Sequence, residues 1–249
     1  MGKSLDILAF SPHPDDAELG CAGSLILAVR KGLRVAIADV SEGELSSRGT
    51  AAQRRKEKRR ASELLDLCER FSLHLPDSRI GTDPAHRLSL IQTIRRTRPR
   101  IILAPYWKDR HPDHVATSRM VKEACFYAGV ARIGRGRPFR PDQLFYYMLH
   151  HPFEPSVVVD ISSVWQLKMN VLAAYPSQFQ EDGRGLRTVL NQPEFMRFIE
   201  ARAIYFGAMI AVAYGEPFFV PGPVALHDLA ETTLKTPKRR GPAHYSMFG

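Results

Sequence analysis

The order of apolar runs along this chain predicts an α/β fold: a Rossmann-like, mostly parallel sheet with helices on both faces. Two observations carry the prediction. Short β-branched or apolar runs alternate with amphipathic stretches of helical length, the pattern of parallel strands joined by crossover helices. The first apolar run, residues 5–11, also passes through a proline-stiffened turn straight into a helical pattern.

Each element can be justified in order. Residues 5–11 form a strand stopped by Pro12. A helix follows over 17–31, because Leu19, Ala22, Leu25, Ile26 and Val29 recur at three- and four-residue spacing and Gly32 suits the position just past its end. The β-branched run 34–40 is the second strand. After the polar loop 41–49, Thr50 caps a long helix expected over 50–69. A short strand is expected at 71–75 and a helix at 84–97, with Leu88, Ile91 and Ile94 on one face. Residues 100–105 read as a buried strand and 115–128 as a helix. Strands follow at 143–149 and 156–161, then helices at 162–175 and 193–213, with Pro193 in a first turn. No internal repeat is visible.

The 249 residues suffice for one large domain, placed at 1–229, with a flexible basic tail at 230–249. Hydrophobic residues make up 44% and charged residues 24%, as in ordinary globular proteins. No apolar run approaches the ~20 residues of a spanning helix, and the start lacks the pattern of a secretory signal. Cys21, Cys68 and Cys125 are widely spaced with no CxxC pair, which argues against a disulfide framework or a cysteine zinc site and for a reducing cytoplasm. The net charge of +9 raises nucleic acid as a partner. The charge is spread along the chain, however, and neither a helix-turn-helix nor an RNA-stacking motif accompanies it. The expectation is no nucleic acid and no membrane.

Chemistry concentrates at two strand ends. The turn after the first strand reads Pro12-His13-Pro14-Asp15-Asp16, where a dinucleotide fold would place glycines. The turn after the strand at 100–105 leads to His111-Pro112-Asp113-His114. In a parallel sheet both ends lie on one rim, where ligands bind. Histidine and aspartate suit zinc, and three such ligands plus a water make the usual catalytic arrangement. Glu18 is explained by the helix dipole alone.

These two motifs resemble those of the LmbE-like, or PIG-L, deacetylase family, over roughly residues 5–219. The stretches 42–50, 104–114, 145–148 and 174–179 are similar to the branch that deacetylates N-acetylglucosaminyl malate in bacillithiol biosynthesis, although Pro76-Asp77-Ser78-Arg79 stands where relatives commonly have Pro-Asp-Arg. The resemblance implies one Zn2+ per chain held by His13, Asp16 and His114. It implies Asp15 as general base, His111 as oxyanion stabiliser, by charge or by hydrogen bonding, and Asp113 as the group that orients His111 and keeps it protonated. For an acidic sugar conjugate, Arg54 and Arg110 would grip carboxylates; Glu42, Ser47 and Tyr214 are further substrate contacts. A related amidase acting on another N-acyl amino sugar, such as an acetylated chitooligosaccharide, uses the same metal chemistry. The family also implies a homo-oligomer, with hexamers among its assemblies.

Overall fold

The computed structural model describes residues 4–181 and 186–224; the basic tail at 230–249 lies outside them. Seven strands form one sheet in the order β3-β2-β1-β4-β5-β7-β6. Strands β1 (Ile7–Ser11), β2 (Val35–Asp39), β3 (Glu69–Ser72), β4 (Ile101–Pro105) and β5 (Gln143–Tyr147) run parallel. β7 (Gly215–Phe219) lies antiparallel between β5 and β6 (Val157–Asp160). The expected α/β architecture is therefore present.

Alternation along β1 shows how the core is divided. Ile7 and Ala9 face one apolar cluster, Leu8 and Phe10 the other. The first cluster is completed by α1 (Asp16–Arg30), α2 (Ala51–Leu65), α5 (Trp165–Leu172) and α7 (Pro193–Met209), the second by α3 (Pro84–Thr97) and α4 (Pro112–Tyr127). A one-turn helix, α6 (Pro176–Phe179), follows α5.

Several elements differ from the sequence reading. α2 stops at Leu65 because Asp66 adopts a left-handed conformation (φ 51°), and β3 begins at Glu69, inside the expected helix. The helix expected over 162–175 is a short 3-10 turn followed by α5, which ends at Leu172. β7 was not anticipated, because Glu216 and Pro217 disguise it. Pro217 is tolerated because β5 pairs only with Phe218 and Phe219, leaving the proline off that ladder.

A buried carboxylate, Glu216, ties α1 and α5 to this last strand. Gly23 and Ser24 direct their amide N–H groups to the Glu216 carboxylate (2.8 and 2.7 Å). Lys168 Nζ from α5 donates to Glu216 Oε1 (2.7 Å) and to the Leu19 carbonyl (3.0 Å), which regular α-helical geometry would pair with Gly23. Gly23 is needed there, since a Cβ would lie 2.7 Å from Ile161 and 2.9 Å from Glu216 Oε1.

Candidate active site

The chain turns to opposite sides of β1 to make β2 and then β4, so the switch point of the sheet lies between β1 and β4. Ligands bind in the crevice beyond the carboxyl ends of such strands. His13, Asp15 and Asp16 leave β1 there, and His111, Asp113 and His114 open α4 just after β4.

The geometry centres on one carboxylate oxygen. Asp16 Oδ2 lies 3.1 Å from His13 Nδ1 and 3.2 Å from His114 Nε2. The far nitrogen of each imidazole is engaged by other carboxylates. His13 Nε2 meets Asp77 Oδ1 (3.1 Å) and Asp113 Oδ2 (3.3 Å), and His114 Nδ1 meets Asp109 Oδ1 (3.0 Å). A carboxylate behind an imidazole fixes the proton on the far nitrogen and turns the near lone pair forward. Two such lone pairs facing one carboxylate make a donor set that fits a divalent cation. The same surroundings favour protons on both rings. Burial works against charge, but Asp113, Asp16 and Asp77 hold the His13 pKa well above its usual value, and Asp16 and Asp109 push His114 up to about 9. The cluster thus attracts positive charge in whichever form it is supplied.

Asp15 occupies a different environment. It is the residue preceding α1, with φ at 117°, a conformation non-glycine residues rarely adopt and one often kept at functional sites. Its buried carboxylate accepts no hydrogen bond among the described residues; the Arg54 guanidinium approaches to 3.6 Å. Burial is the main cause that pushes its pKa up to about 7, with Arg54 opposing and Asp16 and Glu18 adding to the rise. A carboxyl group of this kind can exchange protons near neutrality.

His111 is the N-cap of α4, and its Nδ1 accepts the Asp113 N–H (3.2 Å). In the neutral ring the proton therefore sits on Nε2, available to a ligand. Burial, followed by the neighbouring His114 and His13, lowers its pKa. The expectation pairs Asp113 with the His111 ring; its carboxylate instead meets His13 Nε2 (3.3 Å) and accepts the Ser78 N–H (2.7 Å).

A cleft of about 320 Å³ exposes these groups, lined among others by His13, Asp15, Asp16, Ser47, Arg54, Arg110, His111 and His114. Arg54 is buried, with Nη2 on the Pro14 carbonyl (2.8 Å), and Arg110 is exposed at the rim. Glu42 lies outside this cleft. It pairs with Lys58 (2.9 Å) and lines an adjoining basic groove. Tyr214 stacks on Trp165 (4.3 Å, 9°) and does not line the cleft. Glu18 is buried against Arg70 (2.6 Å) and Tyr175 (2.7 Å), a structural network beyond the helix-dipole explanation. The stretches 46–50 and 175–179 meet at the cleft wall, where Gln178 Nε2 donates to the Arg48 carbonyl (3.0 Å).

Three residues were missed by sequence reasoning. Asp77 follows β3, Asp109 follows β4, and His150 follows β5. His150 Nδ1 shares Asp109 Oδ1 with His114 (3.0 Å), and its ring stacks on His114 (5.3 Å, 12°). Applying the strand-end rule to β3 and β5 as well would have raised Asp77 and His150 as candidates.

Comparison with known proteins settles the family. Residues 8–125 match the PIG-L family, described as GlcNAc-PI de-N-acetylase. The conserved protein TT1542 from Thermus thermophilus superimposes with a TM-score of 0.82 at 42% identity, over 89% of this chain and 97% of that one. The chain belongs to the PIG-L (LmbE-like) deacetylase family. As a PIG-L member it is an enzyme, an N-deacetylase that hydrolyses amide bonds. Among curated PIG-L relatives, diacetylchitobiose deacetylase of Thermococcus kodakarensis is 29% identical over 89% of this chain and 85% of its own length. The probable N-acetyl-alpha-D-glucosaminyl L-malate deacetylase 2 of Bacillus subtilis is 27% identical over 78% and 93%. No helix among the described residues is long and apolar enough to cross a membrane.

Proposed function

We propose that this enzyme is a zinc-dependent hydrolase that removes the acetyl group from an N-acetylglucosamine unit carried on a larger molecule. The supporting observation is the carboxylate-backed pair His13 Nδ1 and His114 Nε2 converging on Asp16 Oδ2. In this reading His13, Asp16 and His114 hold the ion, Asp77 and Asp113 orient His13, and Asp109 orients His114. When bound, zinc supplies Lewis acidity that polarises an amide carbonyl and acidifies a water. Asp15 takes a proton from the attacking water and passes one to the leaving amine as the C–N bond breaks, giving acetate and a free amino sugar. His111 donates its Nε2–H to the carbonyl oxygen as that atom gains charge. Removing the proton from water is the task to which the raised Asp15 pKa is suited.

For the carrier, an N-acetylated chitooligosaccharide is the first reading, supported by the Thermococcus relative's coverage. N-Acetylglucosaminyl malate of bacillithiol synthesis is the second, favoured by Arg54 and Arg110 in the cleft lining. Acetate release from N,N'-diacetylchitobiose, N-acetylglucosaminyl malate and free N-acetylglucosamine, with and without a chelator, tests both. Chelator-sensitive turnover preferring the disaccharide is expected. Preference for the malate glycoside would select the second reading, and turnover indifferent to chelation would overturn the metal mechanism.

A further inference from the structure

At the edge of the sheet where β4 and β5 begin, opposite the catalytic rim, the segment between α4 and β5 folds against the end of α3. Residues 128–141 contain Arg132, Arg135, Arg137 and Arg140 and no acidic residue. The segment is built around a buried guanidinium. Arg95 of α3 is 6% exposed, and its N–H groups go to five backbone carbonyls: Ala128 (2.9 Å), Val130 (2.7 Å), Arg135 (3.1 Å), and Tyr127 and Gly136 (3.4 Å each). Among the described residues no carboxylate pairs with it. Carbonyl dipoles, two of them at the end of α4, offset part of its charge, but a buried cation is ordinarily paired. Arg98 lies over Phe139 (4.5 Å) and Arg140 over Phe126 (5.1 Å), so the segment is held at two further points.

Arg95 forms one wall of a hollow of about 340 Å³, whose other walls are Gln92, Arg96, Arg135 and Gly136. We propose that this hollow binds a phosphate group, free or carried on a small molecule. Three guanidiniums line it, and almost nothing neutralises them. The Arg135 side chain has no partner among the described residues, and Arg96 has only Glu69 at 3.6 Å, a pair about half exposed and therefore weak. Guanidinium forks suit phosphate oxygens two at a time. Gly136 has a positive φ of 85°, and the amide N–H groups of Gly134, Arg135, Gly136 and Arg137 meet no acceptor among the described residues. Successive free amides in a turn are a further anion-binding device. A dianion in the hollow supplies the counter-charge that Arg95 lacks; a neutral ligand does not, and the three arginines repel a cation. None of these residues lines the catalytic cleft, so the site stands apart from the deacetylase reading.

Titration calorimetry of the zinc-loaded full chain with inorganic phosphate and with AMP, at constant ionic strength, tests the site. At least one of the two should bind. Tighter binding of AMP would identify a carried phosphate, and equal or weaker binding a free one. Arg135→Ala should weaken the binding roughly tenfold, the worth of one charge-assisted contact, and Arg96→Ala combined with it should weaken it further. Both side chains are exposed, so the fold does not depend on them, whereas Arg95 is left intact because its bonds hold the segment. Arg55→Ala with Arg59→Ala, in the basic groove beside the catalytic cleft, should leave the affinity unchanged. Amide hydrogen exchange at residues 134–137 should slow when the tighter anion is added. Absence of binding by both anions, an unchanged affinity in the Arg96→Ala/Arg135→Ala variant, an equal loss in the groove variant, or exchange at 134–137 indifferent to saturating anion would each overturn the proposal.

Discussion

Asp109 lies outside the proposed ligand set, yet its replacement by asparagine should weaken metal binding strongly. Asp109 Oδ1 accepts hydrogen bonds from His114 Nδ1 (3.0 Å), His150 Nδ1 (3.0 Å) and the His111 N–H (2.9 Å), while Oδ2 accepts the His150 N–H (3.1 Å). Asparagine can keep its carbonyl oxygen toward the first three, but its NH2 then faces the His150 N–H, donor against donor. The bond to His114 survives without charge, and a charge-assisted bond is about twice as strong as a neutral one, a loss of roughly 1 kcal/mol. Added to a less firmly held ring, this predicts a ~10–100-fold weaker zinc affinity, the usual cost of losing a carboxylate behind a metal-bound imidazole. Competition with a chromophoric chelator reads the affinity directly, and circular dichroism of the chelated protein reports whether the fold survived. An affinity within about twofold of wild type, on a protein that folds, would refute the claim that Asp109 orients a metal-binding His114.

Other perturbations separate the remaining roles. Asp15→Asn should keep a full equivalent of zinc and lose ~10²–10⁴ in kcat; elemental analysis showing a metal-free variant would count against Asp15 as a base. His13→Ala should lose zinc and turnover together, and full zinc occupancy in it would remove His13 from the ligand set. Lys168→Met, which leaves Glu216 buried without its cation, should destabilise the fold by about 3–5 kcal/mol. Denaturant unfolding checks this, and an unchanged midpoint would mean that the pair is not coupled to stability.

Local pattern revealed much of this molecule, and its limits have physical causes. The helical spacing of Leu19, Ala22, Leu25 and Ile26 marked α1, and all four of those side chains are buried. The Thr50 cap was legible because an N-cap is a local interaction, and its hydroxyl does accept the Gln53 N–H. β7 was hidden because strand identity there comes from partners on two other strands, and nothing in Gly-Glu-Pro-Phe-Phe advertises them. In the site, two compact motifs displayed His13, Asp15, Asp16, His111 and His114. Asp77 and His150 reach the same place singly, from separate strand ends, so proximity was visible only once the sheet order was known. Asp113 shows the opposite limit. Two residues from His111 in sequence, it looks like that ring's partner, but the first turn of α4 gives His111 the Asp113 amide and sends the carboxylate to His13.

The tie between Glu216 and the amides of Gly23 and Ser24 bears on how the enzyme is made. Every proposed zinc ligand is synthesised by residue 114, yet the helix that presents two carboxylates of the first motif is stitched to the last strand of the sheet. During translation the growing chain would carry all its ligands for about a hundred residues before α1 acquires its final anchor. A nascent or truncated chain ending before β7 would present Asp15 and Asp16 on a helix whose middle turn lacks its carboxylate and leaves Lys168 without its counter-ion. The anchoring of α1 is in this way completed only once β7 is in place.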